Sequence, residues 1–118
     1  MDLEIINTFL AEILTAFPEV RARMECHDDY MTTSRMEEFA RATTDAFSEG
    51  NTERAVEYLA FMSKRLANCS PVELEYMDVY YVESLFWPHG TDAARVGWQH
   101  VPENLKELFV EFHGRPPL

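Results

Sequence analysis

The placement of glycine and proline constrains this chain more than any other feature. Glycine weakens a helix interior and proline removes a backbone N–H, so both mark where helices stop. Here the four glycines and six prolines fall almost entirely between stretches of helical periodicity. The first stretch runs from Asp2 to Phe17, with Leu3, Ile6, Leu10, Ile13, Leu14 and Phe17 at helical spacing, Asp2 as cap and Pro18 as stop. Val20, Met24 and His27 predict a short second helix over Glu19 to His27, and residues 28–33 read as loop. Ser34-Arg35-Met36-Glu37 reads as a capping box ahead of a helix with Met36, Phe39, Ala40, Thr43 and Phe47 on one face. Gly50 stops that helix, and another runs from Thr52 to about Asn68 with Ala55, Leu59, Met62 and Leu66 as its stripe. Only Gly50 and Asn51 separate the two, which predicts an antiparallel αα-hairpin.

Ser70-Pro71-Val72-Glu73 is the clearest helix start, a capping box with proline at the first helical position. The pattern continues to Trp87, where Pro88 stops it. Between Tyr76 and Trp87 only Asp78, Glu83 and Ser84 are strongly polar, so this helix is expected to be the buried central one. Residues 88–101 read as loop with one helical turn near Asp92 to Val96. The last helix runs from about Pro102 to His113, with Leu105, Leu108, Phe109 and Phe112 as its apolar stripe and Gly114 as its stop. Residues 115–118 form a tail. No strand pattern competes, so the expected fold class is all-α: one domain over residues 1–118, a bundle of about five helices with antiparallel hairpins around a buried central helix.

Charge narrows the function. Ten Lys and Arg stand against 21 Asp and Glu, a formal net charge of −11 in 118 residues. Such a field repels nucleic acid and anionic membrane surfaces, so neither is an expected partner. With 47% apolar residues, the chain is too hydrophobic for an acidic disordered tail. The longest wholly apolar run, Tyr58 to Met62, is too short to span a bilayer. Met1-Asp2-Leu3-Glu4 lacks the basic start of a secretory signal, and Cys26 and Cys69 can form at most one bridge. The expected location is the cytoplasm.

No catalytic motif stands out, so the chain is not read as an enzyme. Cys26-His27-Asp28-Asp29 is rich in ligand atoms, but successive helical residues point apart and cannot converge on one ion. No metal or other cofactor is expected. Cys69 precedes a helix N-terminus, where the dipole lowers a thiol pKa; the alternative, a small buried side chain at a helix junction, is preferred. Glu83 lies in an otherwise apolar stretch and calls for a partner, an Arg or a helix N-terminus.

Candidate partner-binding residues follow from charge and aromaticity. Glu103, Glu107 and Glu111 recur at i, i+4 and i+8, an acidic ridge on the face away from the apolar stripe. Glu73, Glu75 and Asp78 lie in the first turns of the preceding helix. Tyr58 and Phe61, with Arg54 and Arg65, form a second stripe that is either core or a binding patch, and Trp98 lies in a loop.

Residues 79–87, Val-Tyr-Tyr-Val-Glu-Ser-Leu-Phe-Trp, and residues 101–114, Val-Pro-Glu-Asn-Leu-Lys-Glu-Leu-Phe-Val-Glu-Phe-His-Gly, carry a resemblance. They resemble the C-terminal half of small acidic helical immunity proteins from bacterial contact-dependent inhibition and related polymorphic toxin systems. In helix order the likeness covers roughly residues 34–114 and leaves residues 1–33 without support. It implies a cytoplasmic inhibitor that covers the active site of a cognate toxin domain, often a basic nuclease. The competing expectation is an intracellular helical adaptor or scaffold module with no toxin partner.

Overall fold

A computed structural model describes residues 2–118. Among these described residues seven α-helices follow one another: α1 Leu3–Ala16, α2 Arg21–Met24, α3 Thr32–Ser48, α4 Thr52–Ala67, α5 Pro71–Met77, α6 Asp92–Trp98 and α7 Glu103–His113. A 3₁₀ turn, Pro18–Val20, leads into α2, and a π-helical segment, Asp78–Val82, continues α5. There is no strand among the described residues. None of the helices is long and apolar enough to cross a membrane. The all-helical class is as expected; the helix count is higher than about five, in part because the single turn expected near Asp92 to Val96 is the two-turn α6, capped by Thr91 on the Ala94 N–H.

Asp2 caps α1 by accepting from the Glu4 and Ile5 amides, and Ile6, Phe9, Leu10 and Ile13 form its buried face. Between α3 and α4, Gly50 takes a left-handed φ of 78°, and the Asn51 amide donates back to Ala46 O at 2.7 Å. The two helices pack against each other as the predicted hairpin.

Two expectations about helix boundaries need correction. The Ser34 capping box does not form, because α3 begins two residues earlier at Thr32 and Ser34 lies within its first turn. Burial explains the earlier start: Thr32 is enclosed, and its carbonyl accepts from the Tyr76 hydroxyl at 2.6 Å. The helix from Ser70 does not run unbroken to Trp87. It starts as read, with reciprocal Ser70–Glu73 hydrogen bonds, but becomes π-helical at Asp78, where the Glu83 amide reaches Asp78 O at 3.1 Å. On a regular α-helix, residues five apart differ by about 140° in direction. The wider π turn lets both Tyr76–Met77 and Tyr81–Val82 face the core, and all four are fully buried.

The central position belongs to α3, not to the Ser70–Trp87 stretch. α3 packs against α1, α2, α4, α6 and the π segment. Its small side chains, Ala40, Ala42, Thr43 and Ala46, are buried and allow this close approach. The Thr43 hydroxyl bonds its own helix at Phe39 O and also Tyr81 Oη at 2.9 Å, so a buried polar residue is satisfied. In the stretch expected to be central, Leu74 and Val79 are exposed. Phe112, placed on the core stripe of α7 by its spacing, is also exposed, while Leu105 and Phe109 are fully buried.

Candidate partner-binding site

The phase of α7 is set from within. Leu105 and Phe109 point into the core, and Asn104 locks onto α4: its amide donates to Ser63 O at 3.0 Å and its Oδ1 accepts from the Ser63 hydroxyl at 2.7 Å. That phase turns Glu103, Glu107 and Glu111 outward, and all three are exposed. None of them has an ion-pair partner among the described residues.

Trp98 completes the site from the end of α6. Its ring lies 5.3 Å from the Phe109 ring, and the Lys106 ammonium sits 5.1 Å from the indole centre. The result is a groove of about 480 Å³ lined by Trp98, Glu103, Lys106, Glu107, Val110 and Glu111. Trp98 is half-buried and Val110 is exposed, so the groove has an apolar floor and a carboxylate rim. The structure thus brings together the sequence-predicted acidic ridge and one predicted aromatic, although the two are separated in the chain by a turn that only folding closes.

Asp78 approaches this site. It is half-buried, and its carboxyl is raised above its ordinary value first by burial and then by Glu111 nearby. Neither Asp78 nor Glu111 has an ion-pair partner among the described residues. The arrangement suits capture of a cationic, partly apolar surface; no nucleophile and base are paired within it.

The DUF7674 domain, a domain of unknown function, matches residues 10–114. The chain belongs to the DUF7674 family. No curated protein matches it, and neither does any solved structure. The family match begins within α1 and takes in the rest of that helix and α2, whereas the immunity-protein resemblance left residues 1–33 unsupported.

Three other predicted binding residues of this DUF7674 protein, Glu73, Tyr58 and Phe61, are engaged within the fold. Glu73 is consumed twice, by the capping box and by a 2.8 Å ion pair with Arg65. Burial pushes its carboxyl up, but the Ser70 amide and Arg65 outweigh this and hold it below the usual range. Glu75 is exposed and stands apart from the groove lining. Tyr58 is buried, and its hydroxyl donates to Glu19 at 2.6 Å. Burial and then Glu19 push that phenol up to about 12. Phe61 is half-buried against Phe17, with ring centres 5.5 Å apart. Arg54 lies over the Phe17 ring and Arg65 over the Phe9 ring, so the second stripe of α4 is core lidded by two arginines. The Tyr58/Phe61 binding patch is therefore set aside: α1 and its following turn cover a face that looked free in the sequence.

The remaining chemical candidates disperse. Cys26 Sγ donates to Ala22 O, His27 bonds Glu38 at 2.8 Å, and Asp29 bonds Arg35 at 3.0 Å. Burial, then the Glu73 carboxylate, raises the Cys69 thiol, opposite to an activated nucleophile. Glu83 has no Arg or helix N-terminus as partner among the described residues. Its carboxyl is raised by burial and then by Asp78.

Proposed function

We propose that this DUF7674 protein is an immunity-type inhibitor that docks on a cognate basic toxin domain, a nuclease, and covers its active site. The observation that carries the docking step is the Trp98 groove: an aromatic floor rimmed by three carboxylates that have no ion-pair partner among the described residues, with Lys106 turned to the indole. A nuclease cleft is built to hold a row of anions, and carboxylates four residues apart rise about 6 Å along a helix, one after another. Trp98 supplies the desolvated anchor that charge alone lacks. The toxin itself enters through the resemblance of residues 79–87 and 101–114 to immunity proteins.

The test is protection. The toxin domain encoded beside the gene is expressed with and without this protein, and growth is scored. Relief of arrest by the parent is expected. The triple variant Glu103→Lys, Glu107→Lys, Glu111→Lys is expected to keep its circular dichroism spectrum and lose protection. Arrest that the parent does not relieve sinks the immunity reading, and a folded triple variant that protects as well as the parent moves the interface off α7.

A further inference from the structure

Phe86 and Trp87 are adjacent in the chain and opposite in environment. Phe86 is fully buried and Trp87 is 70% exposed. The separation is made at Phe86, whose φ of 61° lies in the left-handed region that bulky residues avoid. Surrounding structure holds it there: its ring packs against Phe47 at 5.9 Å and its N–H donates to Thr44 Oγ1 at 2.9 Å. His89 meets the Trp87 ring edge to face at 5.2 Å. The indole is thereby presented outward on a supported turn.

Beside it lies a cleft of about 310 Å³, whose charged walls are Glu37, Arg41, Asp45 and Glu83. Arg41 is engaged by Glu38 at 2.9 Å and Asp45 by Arg23 at 2.9 Å. Glu37 and Glu83 have no cation among the described residues. Glu83 is half-buried, so its charge has lost water without gaining a partner. Three carboxylates against one arginine exclude an anion. A neutral ligand would deepen the burial of Glu83 without pairing it. A flat cation answers both features, since it stacks on indole and offers N–H donors in a fork.

We propose that the Trp87 cleft is a second binding site, separate from the α7 groove, that takes the guanidinium of an arginine side chain presented by a protein partner. Trp87 stacks on the guanidinium plane, and Glu83 and Glu37 accept its N–H bonds. None of the α7 carboxylates lines this cleft, so the proposal stands or falls independently of the Trp98 groove.

The chain has two tryptophans, so Trp98→Phe leaves Trp87 as the sole reporter. Titration of that variant with acetyl-arginine methylamide is expected to give a saturable fluorescence change. The neutral isostere, acetyl-citrulline methylamide, is expected to give none. Glu83→Gln, with an unchanged circular dichroism spectrum, is expected to weaken binding about tenfold, the size of one charge-assisted pair. In carbon-13 NMR the Glu83 carboxyl should titrate at lower pH when the arginine amide is bound. A response that never saturates, equal binding of the citrulline amide, or a folded Glu83→Gln variant that binds as tightly overturns the proposal. The α7 triple reversal is expected to leave the response intact, which separates failure here from failure of the Trp98 groove.

Discussion

Gly97 shows how one hydrogen atom can set the position of a helix. A Cβ built there would lie 2.4 Å from Phe86 Cε1 and 2.8 Å from Phe47 Cδ2. Helix propensity favours alanine over glycine by about 1 kcal/mol, while overpacking a filled core costs about 1–3 kcal/mol. Both rings are buried and cannot swing into solvent, so overpacking should win. Gly97→Ala is expected to lower the urea midpoint, and a raised midpoint would mean the two rings have room to move. Glu19 gives a pH-dependent counterpart. Arg54, assisted by Tyr58 and opposed by burial, holds its carboxyl down to about 2 from an ordinary 4.5. A depressed carboxyl stabilises the fold above its unfolded value and loses that contribution as pH falls toward its folded one. Glu19→Gln is therefore expected to be less stable than the parent at pH 7, with the gap closing between about pH 4.5 and 2. Parallel urea melts across that range check it; a gap independent of pH would assign the loss to packing.

At the scale of the element, two serines that look alike in sequence separate cleanly. Ser70 accepts from the Glu73 amide at 3.2 Å and Glu73 returns a bond to the Ser70 amide at 3.0 Å. Ser34 has the same Ser-x-x-Glu spacing but sits inside α3, where no cap is needed. Ser70→Ala is expected to cost about 1 kcal/mol and Ser34→Ala less than about 0.5 kcal/mol. Equal losses in thermal melts would show that the motif acts at both places. On α7, Phe109 is fully buried between Trp98 and His89, while Leu108 is only half-buried. Phe109→Ala should cost about 3–5 kcal/mol and Leu108→Ala clearly less. Helical spacing alone ranks the two together; denaturant titration of both variants would tell whether burial ranks them correctly.

For the whole molecule, the formal charge of −11 is unevenly distributed. Part of the acidity is matched internally, by Arg54 to Glu19 and Glu57, by Arg65 to Glu12 and Glu73, by Arg41 to Glu38 and by Arg23 to Asp45. The α7 ridge has no such matching among the described residues, and neither have Asp78, Glu37 and Glu83, so uncompensated charge remains on α7 and beside the Trp87 cleft. Exposed charges of this kind govern encounter more than residence time. Binding of a basic toxin domain is expected to be fast at low salt and to slow as ionic strength rises, with screening over about 8 Å under physiological conditions. Stopped-flow association of parent and triple reversal across a salt series checks this. An on-rate indifferent to both salt and reversal would remove steering from the account.

Helix content, most helix ends and the outward acidic ridge of α7 were legible in the residues, because each depends on local geometry. Gly50, Pro18 and Gly114 act on their own backbone, and i, i+4 spacing places Glu103, Glu107 and Glu111 together in any α-helix. What periodicity cannot state is which apolar face meets which. Tyr58 and Phe61 form as clean a stripe as a docking surface would, and only the arrival of α1 with Phe17 made them core. The same holds for α3 as the hub, for the π segment that turns Tyr81 and Val82 inward, and for the meeting of Trp98 with the α7 ridge. Those outcomes depend on contacts between residues tens of positions apart, whose energies are comparable for several pairings until the whole core is filled at once.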